Sequence, residues 1–124
     1  MQTSQNHWMQ SESSDQRYTQ AIHDGDGLIT RRPFFREASS LPINIEVWEL
    51  EPGASEGTHT HSGDGSLEEI YYFLQGTGEM DIEEEVVSIK SGDAIMVPPG
   101  VDHGFRNTGK DMLKLVIVWG KPTE

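Results

Sequence analysis

Three histidines and one glutamate are the residues of this chain whose types and spacing best suit chemistry. His59 and His61 are separated by one residue, Glu69 follows one hairpin later, and His103 lies beyond a Pro-Gly turn. Side chains at positions i and i+2 of an extended strand point to the same face, so both imidazoles of the first pair can reach one ion. Three neutral imidazoles and one carboxylate suit a borderline divalent ion. We therefore predict one bound transition metal ion, which would be iron, manganese, nickel, copper, cobalt or zinc.

Strand-length segments separated by turn residues must position these four side chains. Proline and glycine interrupt the chain repeatedly, for example at Pro52-Gly53 and at Pro98-Pro99-Gly100. The apolar or alternating segments cover residues 44–50, 69–75, 79–82, 85–89, 94–97, 102–106 and 113–119. Short strands at this even spacing, without a convincing helix, predict an all-β sandwich or barrel.

The frame around the four side chains resembles the two motifs of the cupin superfamily. In the first motif, five residues separate a glycine from His-x-His, and six residues separate the ligand glutamate from a second glycine, as with Gly53 and Gly76 here. The second motif is matched by Gly92, Pro98, Gly100, His103 and Asn107. The resemblance implies a double-stranded β-helix, or small jelly-roll barrel, commonly found as a homodimer.

One departure from the first motif lies between its second and third ligands. Seven residues separate His61 from Glu69, where three or four are usual, and the additional segment is Ser62–Ser66. This segment is expected to bulge at the mouth of the barrel, where a substrate would enter. Both Glu68 and Glu69 then compete as ligand, and the six-residue distance to Gly76 selects Glu69.

Strand alternation predicts which side chains line the interior. The predicted lining consists of Trp48, Phe73, Phe105, Leu115, Ile117 and Trp119, together with Tyr71. These residues could contact a small, partly apolar molecule, or they could merely fill a narrow barrel. Tyr71 is the clearest hydroxyl for proton transfer, so it is the predicted catalytic residue. No inward lysine or arginine stands out. Arg31-Arg32 could meet an anionic substrate, but we expect the pair to lie at a solvated edge or to pair with the acidic surface.

Three functions remain open at this point. The first is a metal-dependent oxygenase acting on a small organic molecule. The second is an isomerase, lyase or cyclase that uses the metal as a Lewis acid. The third is a non-catalytic module that binds a small ligand. His7 and His23 are expected to be ordinary surface or hydrogen-bonded histidines outside the site.

Chain length, net charge and cysteine content limit which partners, domain organisation and cellular location we expect. A chain of 124 residues favours one domain. We expect a flexible arm over residues 1–20, or an arm lying on a neighbour, followed by a single barrel over residues 21–124. The formal charge of −12 disfavours nucleic acid and anionic membranes as partners. The chain has no cysteine and no visible signal peptide, which favours the cytoplasm.

Overall fold

The computed structural model describes residues 2–3, 6–60 and 66–123. Within these ranges the chain forms β-strands and no helix. The strands are β1 (Gln2–Thr3), β2 (Trp8–Met9), β3 (Tyr18–Gln20), β4 (Ile29–Pro33), β5 (Ile43–Leu50), β6 (Ser55–His59), β7 (Glu68–Gln75), β8 (Thr77–Ile82), β9 (Glu85–Lys90), β10 (Ala94–Val97), β11 (His103–Asn107) and β12 (Leu113–Gly120). No described segment is a helix long and apolar enough to cross a lipid bilayer.

Two antiparallel sheets face each other to form the barrel. Among the described strands, one sheet has the order β10-β7-β12-β5-β4-β3 and the other has the order β6-β11-β8-β9. Most neighbours are not consecutive in the chain, so the polypeptide crosses repeatedly between the two sheets. This arrangement confirms the all-β jelly-roll barrel predicted from the turns and strand spacing.

The core lies between the two sheets and follows strand alternation. On β12, Leu113, Leu115 and Ile117 are fully buried, while the intervening residues are partly exposed. On β7, Tyr71 and Phe73 are fully buried, as their inward parity predicted. Burial of side chains this large supplies most of the apolar stabilisation, about 2 kcal/mol for each fully buried side chain.

A buried amide closes one end of the barrel. Asn107 Nδ2 donates hydrogen bonds to the carbonyl oxygen of Leu50 at 2.9 Å and to that of Asp111 at 2.8 Å. Its Oδ1 accepts a hydrogen bond from the backbone N–H of Gly109. The side chain of Asn107 therefore provides hydrogen-bond partners for backbone groups that have none in the β-sheet at this turn.

The N-terminal segment contacts the barrel of its own chain in the described region. Gln10 donates a hydrogen bond to the carbonyl oxygen of Pro33 at 3.0 Å, and Asp15 pairs with Arg32 at 2.9 Å. Strand β3 then extends the six-stranded sheet by pairing with β4. Residues 10–20 thus lie against the same sheet that carries β4 and β5.

Candidate metal centre

The described ligand candidates converge from three strands. His59 ends β6, Glu69 is the second residue of β7, and His103 begins β11. One ligand atom of each lies within 4.8 Å of the others. His61 lies outside the described residues, as does most of the Ser62–Ser66 insertion. The structure therefore brings together three of the four predicted ligands, and Glu69 rather than Glu68 is the carboxylate among them.

Backbone carbonyls orient both imidazoles toward the shared centre. His59 Nδ1 donates a hydrogen bond to the carbonyl oxygen of Gly57 at 2.9 Å, and His103 Nδ1 donates one to that of Val101 at 2.8 Å. Only a protonated nitrogen can donate to a carbonyl, so in the neutral rings Nε2 carries the lone pair. The Nε2 atoms of His59 and His103 lie 4.0 Å and 2.6 Å from Oε1 of Glu69. Each ring therefore presents its ligating nitrogen to the same carboxylate.

The donor set fits a divalent transition ion. Bonds of about 2.1 Å to adjacent ligands place the ligand atoms roughly 3 Å apart. The 2.6 Å and 4.0 Å separations bracket that value, so small side-chain rotations would accommodate an ion. Two imidazoles and a carboxylate suit iron, manganese, cobalt, nickel or zinc better than calcium or magnesium.

The protonation of the two histidines differs because their surroundings differ. Burial is the main reason that the pKa of His59 is lowered to about 4, and the neighbouring His23 and His103 add to the effect. His59 is therefore neutral near pH 7 and ready to bind an ion. Burial also lowers the pKa of His103, but its hydrogen bonds to Glu69 and Val101 outweigh burial and raise that pKa above its ordinary value. An incoming ion must therefore displace the proton that His103 shares with Glu69.

Tyr71 supports Glu69 from within the core. Its hydroxyl donates a hydrogen bond to Oε1 of Glu69 at 3.2 Å, and its side chain is fully buried. Burial raises the pKa of Tyr71 well above its usual range, and the charges of Glu56 and Glu69 raise it further. The phenol therefore stays protonated and acts as a fixed donor to Glu69.

A β-bulge in β6 turns an additional carboxylate toward the site. His103 of β11 pairs with His59, but Phe105, two residues later, pairs with Glu56, three residues earlier. The additional residue on β6 reverses the alternation, so Glu56 and His59 both face inward. Glu56 is 3% exposed, and burial followed by the charge of Glu69 raises its pKa well above the usual range. Strict alternation from His59 would place Glu56 on the outside.

The connection between β3 and β4 lies directly over this bulge. The backbone N–H of Gly57 donates a hydrogen bond to the carbonyl oxygen of Ile22 at 3.0 Å. A Cβ atom on Gly57 would lie 1.7 Å from the carbonyl oxygen of His23, so no other residue fits there. The close approach stacks the ring of His23 on that of His59, with centroids 3.7 Å apart. The side chain of His23 is 41% exposed, as expected of a surface histidine, but its ring also forms part of the wall of the site.

A cavity of about 140 Å³ opens beside Glu69. Its lining consists of Ile22, His23, Arg31, Trp48, Glu56, Leu67, Glu69 and Trp119. Of the predicted pocket residues, Trp48 and Trp119 line this cavity. Buried core positions are occupied by Phe73, Phe105, Leu115 and Ile117. The expectation that no arginine faces the interior was wrong, because Arg31 shares the face of β4 that carries the buried Ile29.

A buried carboxylate holds Arg31 in place. Glu46 is fully buried and accepts hydrogen bonds from Nε and Nη2 of Arg31 at 2.7 and 2.9 Å. It also accepts one from Nε1 of Trp48 at 2.7 Å and one from Arg36. The guanidinium lies 5.3 Å from the centroid of the Trp48 ring. This bidentate pairing fixes the plane of the guanidinium at the cavity wall.

A comparison with known protein families agrees with the barrel fold and with the spacing of the two motifs. Residues 46–119 match the Cupin_2 family, described as a cupin domain. Because the match spans more than half of the chain, this protein belongs to the cupin family.

Relatives with known names include two curated proteins and one solved structure. An oxalate-binding protein from Thermotoga maritima is 39% identical over 69 residues, which cover 56% of this chain and 54% of that protein. A 5-nitrosalicylic acid 1,2-dioxygenase from Bradyrhizobium sp. is 36% identical over 110 residues, 85% of this chain and 48% of that protein. The chain thus spans about half the length of these two relatives.

The solved structure is that of a predicted oxalate decarboxylase from Thermotoga maritima. It superposes with a TM-score of 0.84 at 27% sequence identity, over 93% of this chain and 100% of that chain. The superposition extends beyond the residues that match the family, so much of the segment before residue 46 shares this architecture.

Proposed function

We propose that this protein is a metal-dependent enzyme of the oxygenase type that acts on a small organic carboxylate. The observation that carries the proposal is the convergence of His59, Glu69 and His103 beside a cavity that Arg31 also lines. One of the candidate metal ligands, Glu69, and a fixed cation, Arg31, line the same small cavity, which suits an anionic substrate held next to an ion.

The chain's own residues bind the ion and keep its ligands oriented. His59, Glu69 and His103 would hold it, with His61 as the fourth ligand. A redox-active divalent ion supplies the electron-transfer and dioxygen chemistry that side chains lack. Tyr71 acts as a positioning residue, because its hydroxyl fixes the carboxylate of Glu69.

Arg31 is the group that selects a carboxylate. Its Nε and Nη2 are engaged by Glu46, whereas Nη1 has no hydrogen-bond partner among the described residues. The free N–H groups of Nη1 can donate to a substrate oxygen, and the guanidinium side chain is 21% exposed. A charge-assisted hydrogen bond of this kind contributes about 1.5–3 kcal/mol.

Apolar side chains set the size of the substrate and limit access of water. Trp48, Trp119 and Leu67 line the cavity, whose volume of about 140 Å³ resembles that of interior cavities that hold one benzene-sized molecule. A compact acid therefore fits, whereas a sugar phosphate is larger than this volume, and the described lining offers one arginine and no lysine.

The names of two relatives support a carboxylate substrate. One relative is named for binding oxalate and the other for a dioxygenase reaction on 5-nitrosalicylic acid. Both compounds are carboxylic acids. The second relative, whose alignment covers 85% of this chain, supports the oxygenase type.

Metal analysis followed by oxygen-electrode measurements tests the proposal. Protein isolated without added metal is expected to contain about one iron or manganese ion per chain by mass spectrometry, and to consume oxygen with at least one compact carboxylate. His103→Ala should lose both properties, while Lys110→Ala on an exposed turn serves as a matched control. Recovery of zinc alone, with no oxygen uptake across the panel, contradicts the oxygenase type. Substrate loss without oxygen uptake assigns a non-redox isomerase, lyase or cyclase.

Binding without turnover is the second candidate. It is favoured by the relative named as an oxalate-binding protein, which is 39% identical over the aligned region. In that case the metal-loaded protein binds oxalate in calorimetry but returns every tested acid unchanged. Turnover of any acid at a rate that depends on the bound metal excludes this candidate.

We also propose that two copies associate through the outer face of the six-stranded sheet. On β7, the alternate residues Ile70, Tyr72 and Leu74 are each more than 40% exposed, and Met96 on the adjacent β10 is 57% exposed. Apolar side chains clustered on one exposed face commonly mark a protein interface. The face that carries them is opposite to the one that carries Glu69 and Tyr71.

A further inference from the structure

Glu56 is buried beside the candidate centre without a complete set of hydrogen bonds. Its side chain is 1% exposed, and among the described residues no donor lies within hydrogen-bond distance of its Oε1. Within the described part of the chain, the basic atoms nearest to this carboxyl are Nε2 of His23, 3.9 Å from Oε2, and Nδ1 of His59, 4.0 Å from Oε1. A buried carboxyl oxygen without a hydrogen-bond partner destabilises the folded state, so folding alone does not explain its position.

The backbone turns Glu56 inward through a departure from regular strand pairing. The bulge in β6 interrupts the ladder with β11, and Gly57 excludes any side chain at the next position. Without the bulge, Glu56 would face away from the barrel interior and could be hydrated. Irregularities of this kind are frequent next to functional sites, where they redirect a side chain.

The cavity shows what can satisfy Glu56. Arg31 offers a cation, Glu69 belongs to the candidate metal centre, and Glu56 lines the same space of about 140 Å³. An anionic group of the ligand satisfies Arg31 but leaves Oε1 of Glu56 without a donor, because an anionic oxygen can only accept hydrogen bonds. A hydrogen-bond donor on the ligand satisfies Glu56, and a neutral hydroxyl does so without being repelled by a divalent ion nearby, as an ammonium group would be.

We propose that Glu56 is a ligand-recognition residue and that the cavity takes a small carboxylate that also carries a hydroxyl group. The carboxylate interacts with Arg31, and the hydroxyl donates a hydrogen bond to Oε1 of Glu56. This inference rests on the proposed function, since it refines the class of substrate for the same cavity. It adds a requirement that neither the metal ligands nor Arg31 imposes.

Paired acids that differ by one hydroxyl test this inference on the metal-loaded protein. Salicylate is compared with benzoate, and glycolate with acetate, by titration calorimetry. The native protein should bind at least one hydroxy acid about tenfold more tightly than its partner. Glu56→Leu should abolish that preference, and Glu56→Gln, which keeps the size and polarity of the side chain, should reduce it severalfold. Thr58→Val, at an exposed position of the same strand, should leave it unchanged.

The comparison of variants separates recognition by Glu56 from chelation by the ion. A hydroxyl preference that persists in both Glu56 variants overturns the inference, because the metal or another group then binds the hydroxyl. Equal affinity for both members of each pair in the native protein also overturns it, while leaving the carboxylate proposal intact. Failure of the metal-loaded protein to bind any of the four acids overturns both. Metal content, measured in parallel for every variant, shows whether the proposed metal centre itself is intact.

A crystal structure of the complex with the tighter hydroxy acid gives an independent readout. The hydroxyl oxygen should lie about 2.5–3.0 Å from Oε1 of Glu56, which is the usual range for such a hydrogen bond. A hydroxyl that points away from Glu56 contradicts the inference whatever the affinities show.

Discussion

Replacing Glu46 with glutamine should destabilise the protein through loss of one buried charge. The carboxylate of Glu46 is fully buried and accepts hydrogen bonds from Arg31, Trp48 and Arg36. Glutamine keeps the shape but replaces one acceptor oxygen with an NH₂ group, which meets a guanidinium that can only donate. At least one of the bonds with Arg31 or Arg36 is then lost.

The magnitude follows from the exposure of the partners. Breaking a fully buried ion pair by changing one partner costs about 3–5 kcal/mol. The side chains of Arg31 and Arg36 are 21% and 44% exposed, so water recovers part of the lost interaction. We therefore expect Glu46→Gln to lower the free energy of unfolding by about 2–3 kcal/mol.

Urea unfolding of the metal-free protein measures this change. The midpoint should fall by about 1–2 M with an unchanged slope. Glu49→Gln, on the same strand at a partly exposed position, is the matched control and should stay within about 0.5 kcal/mol of the native protein. A loss below about 0.5 kcal/mol in Glu46→Gln would refute the view that this network is held by the buried charge.

Four further predictions concern the candidate centre and the outer sheet face. His61→Ala should abolish metal binding in mass spectrometry, since the predicted site then lacks one imidazole. Tyr71→Phe should weaken metal affinity about 10–100-fold without unfolding the chain, because Glu69 loses its donor. The folded-state pKa of His59 is lowered from 6.5 to about 4, so protonation favours the unfolded state and His59→Leu should gain stability relative to the native metal-free protein as pH falls from 6.5 to 4. Tyr72→Lys should convert a dimer into a monomer of 13.9 kDa in light scattering.

Each of these four predictions has an outcome that contradicts it. Full metal content in His61→Ala removes that residue from the ligand set, and native affinity in Tyr71→Phe removes the supporting role of the phenol. Parallel stability curves for the native protein and His59→Leu show that this imidazole is not held neutral by burial. A native protein that is already monomeric argues against association through the outer sheet face.

The barrel could be predicted from the sequence because turn residues and the alternation of buried and exposed side chains along a strand are local properties. Proline and glycine at fixed intervals delimit the strands, and period-two alternation gave the correct burial of Tyr71, Phe73, Leu115 and Ile117. The same alternation selects Glu69 over Glu68. The structure places Glu69 within reach of two imidazoles because strands β7 and β11 begin at the same end of the barrel.

Alternation failed where the backbone departs from regular pairing. The sequence signal for the bulge that turns Glu56 inward is Gly57, because a glycine within a strand often marks a bulge. A glycine alone does not say which side chain the bulge redirects. The parity that Arg31 shares with Ile29 places it on the inner face, although a charged side chain more commonly lies at the surface. The place of His23 depends on a contact between two segments more than thirty residues apart, which no local pattern encodes.

The part of the chain before residue 46 contributes His23 and Arg31 to the wall of the cavity. His59, Glu69 and His103 lie inside the segment that matches the cupin family, whereas His23 and Arg31 lie before it. Under the proposed function, a change at Arg31 should alter which molecule binds, whereas a change at His23 should also disturb the candidate ligand His59, on whose ring it stacks. Under the proposed function, a chimera that carries the residues before position 46 from another cupin should change the ligand preference, and titration calorimetry of that chimera measures the change.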